Sequence, residues 1–163
     1  MQISILNKIY QVEVSDKKFL KERVVLSDTK ITIFLSEDNA KHPKTIFEKW
    51  LREYARKIIT DRTKTIATQN DFKFNKISIR EQSTRWGSCS SDKNLNFNWK
   101  LILAPLEVLD YVVTHELAHT VQMNHSHAFW KVVEGAMPSY LEYRKSRTIS
   151  TVFVHGYLKS WCW

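Results

Sequence analysis

Four of the chain's six histidines fall in one short stretch, "HELAHTVQMNHSH", from His115 to His127. His115 and His119 are four residues apart. On a helix that spacing projects two imidazoles from one face, one turn apart, so both can grip a single metal ion. Glu116 lies about 100° further around such a helix, where it can flank the ion without ligating it. Two histidine ligands plus a carboxylate general base are the mechanics of the H-E-x-x-H pattern. A catalytic zinc keeps three protein ligands and an open position for water. His125 fits the third place, because the helix should end in the gap after His119 and let the chain turn back. His127, Glu134 and Glu142 stand as alternatives, the first at the start of the next helix and the others further along.

Two imidazoles and a carboxylate on an apolar helix are costly to bury without a partner, and a metal is the simplest one. The helix that carries them can be read from its flanks. Pro105 suits a first helical position, and Glu107 complements the dipole in the first turn. Leu106, Leu109, Val112, Val113, Leu117 and Val121 form its apolar stripe. It should stop near Asn124, a residue that tolerates the left-handed C-terminal position. Ser126 is a suitable N-cap for a further helix holding Phe129, Trp130, Val132 and Val133. Phe129 and Trp130 are expected to pack behind His125. Pro138 breaks that helix, and a last one should run from about Ser139 to Ser150.

Upstream, Ile3, Ile5, Ile9, Val12 and Val14 alternate loosely. "RVVLSDTKITIFLSED" reads as two strands around Ser27-Asp28, so an N-terminal antiparallel meander is expected. Pro43 opens a helix with Ile46, Phe47, Trp50, Leu51, Tyr54, Ile58 and Ile59 at helical spacing. Its other face carries Lys49, Arg52, Arg56 and Lys57, either as a solvated face or as a surface for nucleic acid. "KISIR" is a short strand. "TRWGSCSSDKNLNFNWKLILA" reads as a hairpin turning at Asp92-Lys93-Asn94. Strands first, then helices, with one long helix inserted, make an α+β domain. It should fill residues 1–150 as a single unit. The tail "TVFVHGYLKSWCW", 151–163, has no evident role.

The chain of 163 residues has 25 Lys and Arg against 17 Asp and Glu, a net charge of +8. That balance favours nucleotides, nucleic acids or other polyanions as partners. No apolar run is long enough to span a membrane, and the N-terminus lacks the layout of a signal peptide. Cys89 and Cys162 show no disulfide-framework spacing, so a cytoplasmic location is expected.

"TRWGSCSSDKNLNFNWKLILAPLEVLDYVVTHELAH", followed by "MNHSHAFW", resembles the YgjP-like family of zincin-fold metal-dependent hydrolases. More distantly it is similar to the SprT-like proteases. The similarity runs from roughly Arg23 to Arg147, and its most specific pieces are "TRWGSCS" and H-E-L-x-H-x5-H. The resemblance implies zinc on His115, His119 and His125, with Glu116 catalytic. It also implies a minimal zincin fold: a twisted sheet, a backing helix, the active-site helix and a C-terminal helical cover. Against that pattern the tail looks like an addition.

Within "TRWGSCS", Arg85 has two readings. Arg85 would meet a substrate carboxylate or phosphate bidentately, or tie the hairpin to a neighbouring acid. Trp86 and Gly87 read as core and as a tight backbone. Cys89 reads as a small buried thiol. Asn98 is a second candidate for substrate contact, and Arg85, Asn98, Tyr140 and Tyr143 are candidate oxyanion donors. The expected reaction is zinc-dependent hydrolysis of a peptide. Hydrolysis of a nucleoside triphosphate and a zinc-stabilised nucleic-acid-binding module are the alternatives. The hairpin would offer a strand edge to an extended substrate.

Overall fold

The computed structural model describes residues 1–38, 41–82 and 84–144. Its first element pair is a hairpin, β1 (Gln2–Ile5) with β2 (Lys8–Phe19), closed by the two residues Leu6 and Asn7. Both have left-handed φ, 49° and 69°, as a two-residue turn of the type I′ class requires. Asn7 then reaches across the fold, its amide donating to Glu107 at 3.0 Å.

β3 (Arg23–Leu26) and β4 (Lys30–Ser36) form the second hairpin, turning at Ser27 as the sequence suggests. The sheet is not an antiparallel meander, however. Its order is β1-β2-β4-β3, and β2 runs parallel to β4. The reason is apolar content. β4 carries Ile31 and Ile33, both fully buried, and such a strand gains most from neighbours on both sides. β3 is therefore laid down on the far side and serves as the crossover that a parallel pair needs.

α1 (Pro43–Gln69) runs 27 residues. Pro43 starts it, and the His42 ring accepts a hydrogen bond from the Lys44 amide at 3.2 Å, a cap. Ile46, Phe47, Leu51, Ala55 and Ile59 are its buried stripe. Of the basic face, Arg52 is held by Glu81 at 2.5 Å and lies over the Trp99 ring, while Lys49, Arg56 and Lys57 are exposed.

A second sheet has order β5-β7-β6, from β5 (Lys76–Arg80), β6 (Gly87–Cys89) and β7 (Asn94–Asn98). The expected hairpin is β6–β7, with Lys93 at φ 58° in its turn. The alternation in "NLNFNW" stops at Asn98, whose side chain accepts from the Lys100 amide and caps a 3-10 segment, Trp99–Leu103. α2 (Leu106–Ala118), α3 (His127–Ala136) and α4 (Tyr140–Arg144) follow. One apolar core joins Ile31, Phe47, Leu101, Val113 and Phe129 across both sheets and the helices. The chain is a mixed α+β fold. The rest of the expected last helix, and the tail 151–163, lie outside the described residues.

Candidate active site

α2 starts one residue after Pro105 and is anchored on two sides. Arg62 of α1 donates to Asp110 from Nε at 2.9 Å and from Nη2 at 2.6 Å. Val108, Leu109, Val112, Val113 and Leu117 are buried along its length. Its end comes earlier than Asn124. After Ala118 the Thr120 and Val121 amides bond at three-residue spacing, and the Thr120 hydroxyl donates to the Leu117 carbonyl at 2.6 Å. A side chain that competes for the last carbonyls in this way favours termination. Val121 is consequently outside the stripe and 54 % exposed, and Asn124 does not adopt a left-handed φ.

His119 is the C-cap residue of α2, and the chain loops back so that His125 meets both helical histidines. The His125 Nε2 lies 3.0 Å from the His115 Nε2 and 3.1 Å from the His119 Nε2. One nitrogen from each residue falls within a 4.8 Å set. A small tetrahedral cation with bonds of ~2.0–2.1 Å spaces its nitrogen ligands roughly 3.3 Å apart, so this cluster fits one. His119 Nδ1 donates to the Gln122 carbonyl at 3.1 Å, which leaves its Nε2 lone pair for the cluster. His115 Nδ1 is buried with no hydrogen-bond partner among the described residues. Packing holds that ring instead. Phe129, fully buried, sets its centroid 4.9 Å from His115, 4.5 Å from His119 and 4.9 Å from His125. Trp130 adds a stack 5.9 Å from His125. Ser126 caps α3 as expected and so places both aromatics.

His127, Glu134 and Glu142 are exposed and outside this cluster, and Glu134 pairs with Lys131. Burial pushes the His115 imidazole down to about 3, with the charges of His119, His125 and Arg144 adding to the effect. Burial also lowers His119. Both rings are thus neutral at pH 7, the form that binds metal.

Glu116 is buried, 7 % exposed, on the side of α2 that faces β6. Burial pushes its carboxyl up to about 7, against the opposing pull of Arg85. Gly87 makes room for it: a Cβ there would stand 2.8 Å from Glu116 Cγ and 2.9 Å from Oε1. The glycine is required by close approach and not by an unusual φ. Cys89, two residues on, has its thiol raised to about 11, by burial first and the Glu116 charge second. A thiol so held is no nucleophile at neutral pH.

A cleft of about 240 Å³ opens beside these groups, lined by Arg85, Trp86, Gly87, Tyr111, Val112, His115 and Glu116. Asn98 is not among them. It is fully buried, donating to the Gln82 carbonyl at 2.8 Å and the Arg85 carbonyl at 3.4 Å, so it ties down the loop before β6. Tyr140 is buried against Trp130 at 5.6 Å and does not line the cleft; nor does Tyr143. The tyrosine that does is Tyr111, which the sequence reading passed over. Its signal was present: it stands four residues before His115, on the same helix face. Burial raises its hydroxyl above the usual value, so it remains a donor.

A model of the YgjP-like, metallopeptidase domain family matches residues 1–146. Among solved structures, the metallopeptidase zymogen of Pyrococcus abyssi abylysin is 18% identical, with 58% of this chain and 87% of that one covered and a TM-score of 0.45. The metallopeptidase zymogen of Methanocaldococcus jannaschii jannalysin is 21% identical, with 62% and 95% covered and a TM-score of 0.43. No curated protein matches. With a family match over nearly its whole described length, and three histidines gathered where a metal would sit, the chain belongs to the YgjP-like metallopeptidase family and is a metal-dependent hydrolase.

Proposed function

We propose that this chain is a zinc-dependent peptidase in which His115, His119 and His125 hold the ion and Glu116 is the general base. The observation that carries this reading is the convergence of three imidazole Nε2 atoms beside a buried carboxyl. Neutral imidazoles favour zinc over the oxygen-seeking magnesium or calcium. Zinc in such a site supplies a Lewis acid that acidifies water and polarises the substrate carbonyl. Glu116 takes the proton from the attacking water at a carboxyl oxygen and passes it to the departing amine nitrogen. Gly87 lets that carboxyl lie close to β6, so base and substrate strand are neighbours. β6 is an edge strand, and an extended peptide would pair along it. Tyr111, which lines the cleft, would supply a hydroxyl to meet the negative charge that develops on the carbonyl oxygen. Arg85 is a substrate contact at the mouth. The working unit is one domain over residues 1–150. No described helix is long and apolar enough to cross a membrane, and the cysteine usage suits a cytoplasmic setting.

The test is a product assay by mass spectrometry. Zinc-loaded wild type and Glu116→Gln are incubated with a mixed pool of peptides and nucleoside triphosphates. Peptide fragments made only by the wild type are expected. Monophosphate and pyrophosphate made only by the wild type would overturn the peptidase reading in favour of nucleotide hydrolysis.

A further inference from the structure

Two guanidinium groups on different elements stand near the histidines and the cleft, and among the described residues neither pairs with a carboxylate. Arg85, exposed in the loop before β6, lines the cleft beside Tyr111, His115 and Glu116. Arg144, exposed at the end of α4, sets its guanidinium carbon 3.8 Å from the centre of the Trp130 ring. That ring lies 5.8 Å from His115 and 5.9 Å from His125. Arg52 and Arg62, by contrast, are tied to Glu81 and Asp110. Among the described residues no acid pairs with Arg85 or Arg144, and the one carboxylate lining the cleft is Glu116, the proposed base.

Unpaired cations at a concave site concentrate anions there. Arginine adds direction, because its rigid fork meets the two oxygens of a carboxylate together.

We infer that the cleft selects peptides carrying a carboxylate close to the scissile bond, with Arg85 as the group that meets it and Arg144 as a second contributor. The inference rests on the peptidase reading and adds a substrate class to it. The carboxylate can belong to an acidic side chain or to the peptide's own C-terminus, since both present the same pair of oxygens.

Three peptides separate these sources: one with Glu near its centre and an amidated C-terminus, its Gln match, also amidated, and the Gln peptide with a free C-terminus. Binding is measured by fluorescence anisotropy on zinc-loaded Glu116→Gln, which cannot turn them over. At least one carboxylate peptide should bind about tenfold tighter than the Gln amide, the scale of one charge-assisted hydrogen-bonded contact. Adding Arg85→Gln should remove most of that advantage, and Arg144→Gln part of it. Equal binding of all three, or an advantage that survives in the double arginine variant, would overturn the inference. Cleavage by the wild type is followed in parallel. Equal cleavage of all three peptides would sink carboxylate selection and leave the peptidase standing. An Arg85-dependent binding advantage without cleavage of any peptide would support the anion site and remove the peptidase reading alone.

Discussion

Gly87 and Glu116 approach too closely for a side chain on the first: a methyl group on Gly87 would fall 2.8 Å from Glu116 Cγ. The atom met is mid-chain on a buried side chain, so it cannot simply swing aside. Gly87→Ala should therefore displace the carboxyl and lower kcat/KM by about a hundredfold, the upper scale of general base catalysis being larger still. The three histidines are untouched, so zinc content by atomic absorption should equal that of the wild type. Near-normal turnover would mean that Glu116 need not sit where it does.

Glu116→Gln should keep zinc and lose turnover. It also has a signature in metal-free protein. The wild-type carboxyl is held at about 7 against an ordinary 4.5. Between those values the native state keeps a proton that the unfolded chain has released, so stability falls as pH rises through the window and is level above it. Gln suffers no such loss. The variant's unfolding free energy, relative to wild type, should climb from pH 4.5 to 7 by on the order of 3 kcal/mol and then hold. Urea melts across that range measure it, and a pH-independent difference would contradict a buried carboxyl.

His125→Ala should weaken zinc binding by more than about a hundredfold, which is the most that losing a supporting outer residue does. His127→Ala should leave it unchanged. Competition titrations with a chromophoric chelator compare the two. Tight zinc in the first variant would send the third ligand elsewhere.

Tyr111→Phe removes one hydroxyl from a residue that lines the cleft and little else. If that hydroxyl steadies the developing oxyanion, kcat should drop about a hundredfold while KM and zinc content stay as they are. A kcat close to wild type would leave the charge to the metal alone.

Arg62→Met cuts the paired hydrogen bonds that fasten α1 to the active-site helix at Asp110. The pair is part-exposed, so the loss in stability should be about 1–2 kcal/mol by urea titration. An unchanged midpoint would show that apolar packing alone fixes the helix.

How much of this could be read beforehand depended on how far apart in sequence the partners lie. The three histidines span one helix turn and the loop after it, so their spacing alone drew them together. Ser126, Pro43 and Lys93 likewise act on their immediate neighbours, and the caps and turn they form were legible. The Gly87–Glu116 approach, the Arg62–Asp110 pairing and the buried role of Asn98 each join distant segments, and no local periodicity encodes them. The parallel β2/β4 pair was missed for the same reason. Two adjacent strands suggested a meander, whereas the burial of Ile31 and Ile33 decided which strand took the centre. The early end of α2 was a different kind of miss, a threonine hydroxyl outweighing a continuing apolar pattern.

The turn that follows β1 is tied to residues that come much later in the chain: the Leu6 amide donates to the Ile102 carbonyl at 3.0 Å, and the Asn7 amide to Glu107. During synthesis the first hairpin must wait for about a hundred residues to follow it. At the usual pace of translation that is a delay of roughly 5–20 s. Through that interval the hairpin has no anchor beyond its own strands, and its edge is open to any other strand it meets. The segment that ties down the turn is also the one that leads into the active-site helix, so anchoring of the hairpin and delivery of the histidines arrive in the same stretch of growing chain.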